Sequence, residues 1–274
     1  MSGADIPGDV SRRASSASAK RAPAHKTVSK SGSDAAVSTN IDPRWLAARV
    51  VAAPRCVSPK AAAAAVDAML AEAGAAEPAL RAALAFPAVR ALIEGVADGS
   101  PFLWDLARRE GDRLLRILHA EPESRFEALL AETKSAVAQA ANESAVQHAL
   151  RRAKQEAALL IGLADIGGAW PMPMVTRALT RLADASLSFA IAHLLRQAAA
   201  TGKVTLDDPS DPEKGCGYIV LAMGKMGGFE LNYSSDIDLI CLFDPACAAL
   251  AADTEPAPFY IRLTRSLVRL MQER

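Results

Sequence analysis

Apolar positions recur every three or four residues from about residue 41 to residue 200, the spacing that predicts amphipathic α-helices. In the last predicted helix, from about 174 to 200, the apolar stripe consists of Val175, Leu179, Leu182, Leu187, Ile191 and Leu194. Earlier helices are predicted at about 124 to 141 and 143 to 165. The third predicted helix, which precedes these, has an apolar stripe of Phe102, Leu103, Leu106, Leu114, Leu115 and Leu118. No fixed-period repeat is visible, so the pattern predicts an irregular helical bundle rather than a solenoid.

Helix start and stop signals agree with this pattern. A capping residue or a proline precedes an apolar-periodic run at Ser58-Pro59, Ser100-Pro101 and Glu121-Pro122. Glycines that predict helix ends follow at Gly74, Gly99 and Gly167-Gly168.

The pattern changes after residue 200. Residues 201–216 are polar and contain prolines, which predicts a linker or surface loop. Two apolar runs of strand length follow, Gly217 to Met223 and Asp236 to Phe243, and a further amphipathic helix begins near Phe259. We therefore predict an α+β protein that is mostly a helical bundle.

The domain organisation predicted from this change has three parts. Residues 41–200 form a helical domain, and residues 201–274 begin a second domain. Residues 1–40 have almost no large apolar side chains, so they cannot bury enough surface to offset their ordering entropy, and we predict a disordered tail. An organelle transit peptide is a weaker alternative for this tail, because Asp5 and Asp9 are acidic and no amphipathic face is present.

Composition and charge narrow the function classes. The chain has 31 basic and 31 acidic residues and a formal net charge of zero, which does not favour a protein that coats nucleic acid. No run of about 18 apolar residues is free of charges, so we expect no membrane span. The cysteines form no CxxC pair and no zinc-spaced cluster with histidine, so we expect a reduced, cytoplasmic compartment. The four are Cys56, Cys216, Cys241 and Cys247.

The candidate chemistry lies between the two predicted strands. A glycine turn that contains Gly224 and Lys225 ends the first strand, and Ser235 leads into the second strand with Asp236 and Asp238. Side chains alternate along a strand, so both carboxylates are expected on one face. Oxygen ligands of this kind suit Mg²⁺, and the backbone of a glycine turn can hold phosphate oxygens. The sequence thus predicts catalytic and metal-binding roles for Asp236 and Asp238, and phosphate contacts from Gly224, Lys225 and Ser235.

The same stretch resembles a known family. The spacing of the glycine turn and Ser235-Asp236-Ile237-Asp238 is similar to the nucleotidyltransferase superfamily pattern. The longer run AMGKMGGFELNYSSDIDLICLFD, from 222 to 244, resembles the signature GMGKLGGRELNYxSDIDLI of the glutamine synthetase adenylyltransferase/adenylyl-removing enzymes. The matching positions are Gly224, Lys225, Gly227, Gly228, Glu230, Leu231, Asn232, Ser235, Asp236 and Asp238. Residues 101–118 and 150–168 also resemble helical parts of that family, so the likeness covers about residues 41 to 274.

The resemblance implies a fold and an activity. It implies that the helical bundle is followed by a polymerase-beta-like nucleotidyltransferase palm, and that the chain corresponds to the N-terminal, adenylyl-removing half. Family members transfer AMP from ATP to a tyrosine of glutamine synthetase, and they remove it by phosphorolysis to give ADP. The implied partners are glutamine synthetase, a PII signalling protein, ATP or ADP and phosphate, with Mg²⁺ as cofactor. Glu230 and Asn232 are expected to fix the loop by hydrogen bonds.

One departure from the family pattern limits these expectations. A third carboxylate, on a strand that reads roughly Val-Asp-Leu-Arg-Leu-Arg-Pro in the family, has no counterpart after Asp244. We therefore expect the palm and its metal site to be incomplete, and this chain by itself to be poorly active. Two alternatives stay open, another nucleotidyltransferase such as a PII uridylyltransferase, and a non-catalytic helical binding module.

Overall fold

The structure is a computed structural model, and it describes residues 41–272. The predicted disordered tail, residues 1–40, lies outside the described residues. Most of the described chain is helical, and two short strands pair near its carboxyl end. The helices are α1 (Leu46–Arg49), α2 (Pro59–Glu72), α3 (Glu77–Leu84), α4 (Pro87–Gly99), α5 (Pro101–Arg109), α6 (Gly111–Leu118), α7 (Pro122–Ala138), α8 (Glu143–Ile166), α9 (Met172–Ala200), α10 (Gly224–Gly227) and α11 (Pro256–Gln272), with a 3₁₀ turn at Gly74–Ala76. The strands are β1 (Tyr218–Ala222) and β2 (Leu239–Phe243). The prediction of a mostly helical α+β protein is confirmed.

The helices from α1 to α8, with the start of α9, surround one apolar core. Leu80 of α3, Leu92 of α4, Leu114 of α6 and Leu160 of α8 are fully buried in it. Burying one such side chain is worth about 1.5–3 kcal/mol relative to leaving it exposed. The periodic stripes therefore stabilise this region by facing one another across a shared interior.

The segment from 101 to 118 differs from its prediction. It forms two helices, α5 and α6, because Glu110 has an extended backbone, with φ −136° and ψ 91°. The apolar spacing continues through the break, so periodicity alone could not reveal it. Phe102, a member of the predicted apolar stripe, is 61% exposed. The predicted cap at Ser100 is present, since its side-chain oxygen accepts a hydrogen bond from the backbone N–H of Leu103 at 3.4 Å.

Helix α9 joins the two parts of the chain. It packs against α7, α8 and α11. Within residues 41–272, it is the one helix whose length and apolar composition would allow it to cross a membrane. Half of its most apolar 18-residue stretch is buried inside the fold. A core helix has the same properties, so α9 is only weak evidence for a membrane span.

A second apolar cluster supports the sheet. Strands β1 and β2 are antiparallel, with Tyr218 opposite Phe243 and Ala222 opposite Leu239. One face of the sheet packs against α11, where the Tyr260 ring stacks on the rings of Tyr218 and Phe243 at centroid distances of 5.9 and 5.0 Å. The predicted amphipathic helix after residue 259 is α11, and its buried face supports the sheet from one side.

Candidate functional site

The two aspartates lie immediately before β2 rather than inside it, which corrects the predicted strand boundary. The chain is nevertheless paired there, because the backbone N–H of Met223 donates to the carbonyl oxygen of Asp238 at 2.9 Å. Asp236 and Asp238 are exposed, whereas Ile237 between them is partly buried. Both carboxylates thus lie on the same face, as the alternation of a strand requires.

The glycine turn is a short helical turn, α10, rather than an irregular loop. It begins at Gly224, whose φ of +55° favours glycine over any other residue. A Cβ atom at this position would lie 3.8 Å from Oδ2 of Asp238. The start of the turn and one of the two carboxylates are therefore adjacent, with only a hydrogen atom of Gly224 between them.

Lys225 and Ser235 also meet at this site. The ammonium group of Lys225 donates to the hydroxyl oxygen of Ser235 at 3.5 Å, and that hydroxyl donates to Oδ1 of Asn232 at 2.6 Å. Asn232 also accepts from the backbone N–H of Ser234, so its amide fixes the loop as expected. Glu230 differs from its prediction, since within residues 41–272 its side chain makes no hydrogen bond and its backbone N–H donates to the carbonyl oxygen of Lys225 at 2.8 Å.

The charges at the site favour a cation. Within residues 41–272, neither Asp236 nor Asp238 has a hydrogen-bond or ion-pair partner for its carboxylate. Two like charges on one face repel each other, and a bound cation removes that repulsion. Carboxylate oxygens are the ligands that Mg²⁺ prefers, so the residues present fit this ion. Among the described residues, however, no group of three or more His, Cys, Asp or Glu side chains could hold a metal.

The loop before the aspartates is attached to the helical region by residues to which the sequence analysis assigned no role at the site. The Tyr233 hydroxyl donates to Oδ2 of Asp165 on α8 at 2.9 Å. The backbone N–H of Leu231 donates to the hydroxyl oxygen of Thr180 on α9 at 3.3 Å. The side chain of Leu231 is itself buried in the second apolar cluster. Helices α8 and α9 therefore hold the loop that leads to the candidate site.

The environment of the Tyr233 hydroxyl changes its acidity. Burial of that hydroxyl and its bond to the Asp165 carboxylate raise the pKa of Tyr233 well above its usual range. The side chain as a whole is 54% exposed, but the pKa depends on the surroundings of the hydroxyl, which lies against Asp165. A tyrosine hydroxyl is already protonated at neutral pH, and the raised pKa keeps this one a donor to more alkaline pH than an exposed tyrosine.

The sheet face that carries the two aspartates is otherwise apolar. Ile219 and Leu221 of β1 lie opposite Leu242 and Ile240 of β2, and all four side chains are between 43% and 51% exposed. This face has no helix over it in the described part of the chain, because α11 packs on the other face. The candidate site thus lies at one end of an uncovered apolar surface.

A groove with a volume of about 470 Å³ opens on the side of the sheet that faces α11. It is lined by Tyr218, Cys241, Phe243 and residues of α11, and it contains none of the predicted site residues. Its lining is mostly apolar, with no pair of carboxylates. We therefore associate the candidate chemistry with the opposite face and its two aspartates.

Comparison with known proteins identifies relatives for most of the chain. The family model for glutamate-ammonia ligase adenylyltransferase matches residues 90–274. The bifunctional glutamine synthetase adenylyltransferase/adenylyl-removing enzyme of Bradyrhizobium diazoefficiens is 48% identical over 230 residues, which are 84% of this chain and 23% of that protein. The protein of the same description from Xanthobacter autotrophicus is 50% identical over 202 residues, 72% of this chain and 20% of that protein. The chain spans about a quarter of the length of the curated relatives it matches.

Proposed function

Because the chain belongs to the glutamate-ammonia ligase adenylyltransferase family, we propose that it is part of a nucleotidyltransferase that acts on glutamine synthetase. Its site is the adenylyl-removing one, and β1, α10, β2 and α11 begin a polymerase-beta-like palm. The main support for the proposal is that Gly224 lies next to the Asp238 carboxylate, on the same face of the sheet as Asp236.

The reaction at this site is phosphorolysis of adenylyl-tyrosine. An oxygen of inorganic phosphate attacks the phosphorus of the adenylyl group, and a new P–O–P bond forms as the bond from phosphorus to the tyrosine oxygen breaks. The products are ADP and a tyrosine whose oxygen takes up a proton. Such a transfer needs the two reactants aligned and the charge on the phosphate oxygens neutralised.

Each residue of the candidate site has a role in that transfer. Asp236 and Asp238 would hold Mg²⁺, which would supply positive charge to the phosphate oxygens when bound. The backbone at Gly224 approaches phosphate closely because no side chain intervenes, and the first N–H groups of a helical turn have no intrahelical acceptor. Lys225 donates to phosphate oxygens, and its contact with Ser235 at 3.5 Å orients it. The Ser235 hydroxyl donates to a phosphate oxygen by exchanging its present acceptor, Oδ1 of Asn232, for that oxygen.

The site formed by this chain binds its cation weakly and is poorly active by itself. Two carboxylates supply at most four oxygen ligands, whereas Mg²⁺ requires near-octahedral coordination and keeps several waters when protein ligands are few. The absence of a third carboxylate near Asp236 and Asp238 within residues 41–272 is consistent with this. The other partners implied by the resemblance, a PII signalling protein and ATP, stay predictions.

The first experiment measures cation binding at the level of single residues. Mn²⁺ is titrated into the ¹⁵N-labelled chain, and paramagnetic broadening of backbone amide signals is followed by NMR. We expect the signals of Gly224 and of residues 235–238 to broaden first, because a cation held by the two carboxylates lies nearest to them. In the double variant Asp236→Asn/Asp238→Asn, this selective broadening is expected to disappear.

The matched control removes two exposed carboxylates from the helical region, Glu72→Gln and Asp112→Asn. It changes the net charge by the same amount, so it should leave the broadening near Gly224 unchanged. Equal loss of broadening in both double variants would mean that Mn²⁺ binding depends on the overall charge of the chain rather than on these two carboxylates. That result, or broadening centred elsewhere, would refute the proposed site.

A further inference from the structure

We propose that Asp165 and Tyr233 are positioning residues for the candidate site, so that cation binding by Asp236 and Asp238 depends on a contact with the helical region. This inference rests on the proposed function. Its physical basis is the bond of 2.9 Å from the Tyr233 hydroxyl to Oδ2 of Asp165.

The contact joins two parts of the chain that have separate apolar clusters. Asp165 lies in the last turn of α8, a helix that contributes to the main helical core, and Tyr233 is three residues before Asp236. The loop from 228 to 238 has neither helix nor strand, so little local structure fixes it. A contact with a helix of the main core therefore adds a restraint from outside the loop to the hydrogen bonds within it.

The position of Asp165 on its helix supports a role in tertiary structure. A negative charge in the last turn of an α-helix is unfavourable, since the carboxyl end of the helix carries partial negative charge. Within the described chain, the Asp165 carboxylate has no hydrogen-bond partner other than Tyr233. The residue thus does not stabilise its own helix, and its visible interaction is with the loop of the candidate site.

The restraint reaches the site through a short series of bonds. Tyr233 is followed by Ser234 and Ser235, whose backbone N–H groups both bond to Asn232, and the Ser235 hydroxyl bonds to Asn232 and accepts from Lys225. The bond between Leu231 and Thr180 holds the other end of this segment to α9. Fixing Tyr233 therefore limits the positions open to Ser235 and, one residue later, to Asp236.

The experiment compares two tyrosine-to-phenylalanine variants. Tyr233→Phe removes only the hydroxyl that bonds to Asp165. The matched control, Tyr218→Phe, removes a hydroxyl bonded to Thr264 at 2.8 Å on the opposite side of the sheet. Both proteins are measured for Mn²⁺ affinity by amide broadening and for hydrogen exchange at the amides of Leu231, Ser234 and Ser235. Thermal unfolding shows that each variant is folded.

We expect Tyr233→Phe to raise exchange at these amides and to weaken Mn²⁺ binding, each about threefold to tenfold, the range expected for losing one such hydrogen bond. Tyr218→Phe should change neither quantity. Asp165→Ala should match Tyr233→Phe, and combining the two should add nothing, because both remove the same contact. Asp165→Asn keeps an acceptor oxygen, so it should recover part of the loss.

The possible failures can be told apart. If Asp236→Asn/Asp238→Asn abolishes Mn²⁺ binding but Tyr233→Phe behaves like Tyr218→Phe, the proposed site stands and the positioning role is wrong. Full additivity of Tyr233→Phe and Asp165→Ala would also overturn it. If the unchanged chain binds no Mn²⁺, the proposed function fails, and the exchange measurement alone decides whether Asp165 holds the loop.

Discussion

The helical region and the sheet region use their apolar side chains in opposite ways. In the helical region, the periodic leucines of α3, α4, α6 and α8 meet in one interior and are fully buried. In the sheet region, one face packs on α11, while the other exposes Ile219, Leu221, Ile240 and Leu242 beside the carboxylates of Asp236 and Asp238. The comparison indicates that the helices contribute most of the stability of this chain. The candidate chemistry lies on the two-stranded sheet, which α11 covers on one face.

The largest expected difference in the free energy of unfolding is between two leucine-to-alanine substitutions, one made in each region. Leu160→Ala removes a side chain that is 0% exposed, and we expect a loss of about 2–5 kcal/mol in the free energy of unfolding. Leu221→Ala on the sheet is expected to cost less than about 1 kcal/mol, because water already reaches that side chain and little of its burial is lost. Urea denaturation followed by circular dichroism measures both, and equal losses would contradict the comparison.

Alanine substitutions at two separate glycines test how tightly the sheet packs against the rest of the fold. Gly217, with φ +69°, precedes β1, and a Cβ there would lie 2.6 Å from Cβ of Cys247 and 2.8 Å from the Tyr260 hydroxyl oxygen. Gly217→Ala is expected to lower the free energy of unfolding by about 2–4 kcal/mol, from backbone strain and overpacking together.

The control is Gly74→Ala in the helical region. Gly74 has φ +57°, and a Cβ atom added there would have no other atom within 4 Å, so only backbone strain of about 1–2 kcal/mol is expected. Thermal unfolding of the two variants separates the two contributions. If both lose the same amount, the packing around Gly217 is looser than the structure indicates.

The smallest effect on stability is expected at the uncovered sheet face. Replacing Ile219 and Leu242 by threonine places β-branched, partly polar side chains on an exposed strand surface that tolerates them, so the free energy of unfolding should change by about 0.5 kcal/mol or less. Binding of the dye ANS should fall, since an exposed apolar patch is reduced. A large loss of stability would mean that this face is more buried in solution than its exposed fractions indicate.

Much of the local structure followed from the sequence. The helices α7, α8, α9 and α11 lie where the apolar periodicity predicted them, and Ser100 caps α5 as its chemistry suggests. The alternation around Ile237 fixed the shared face of Asp236 and Asp238, since it depends only on successive residues of an extended chain. These features could be predicted because each is decided by neighbours within a few positions.

The tertiary structure decided the features that depend on distant residues. The break at Glu110, the exposure of Phe102 and the uncovered apolar face depend on what packs against each segment, which periodicity does not specify. The contact of Tyr233 with Asp165 joins residues 68 positions apart, so no motif or spacing could indicate it. The sequence by itself determined which residues carry the candidate chemistry, because a motif is local. Only the folded chain determined that two helices hold these residues in place, because a restraint from outside the loop needs a long-range contact.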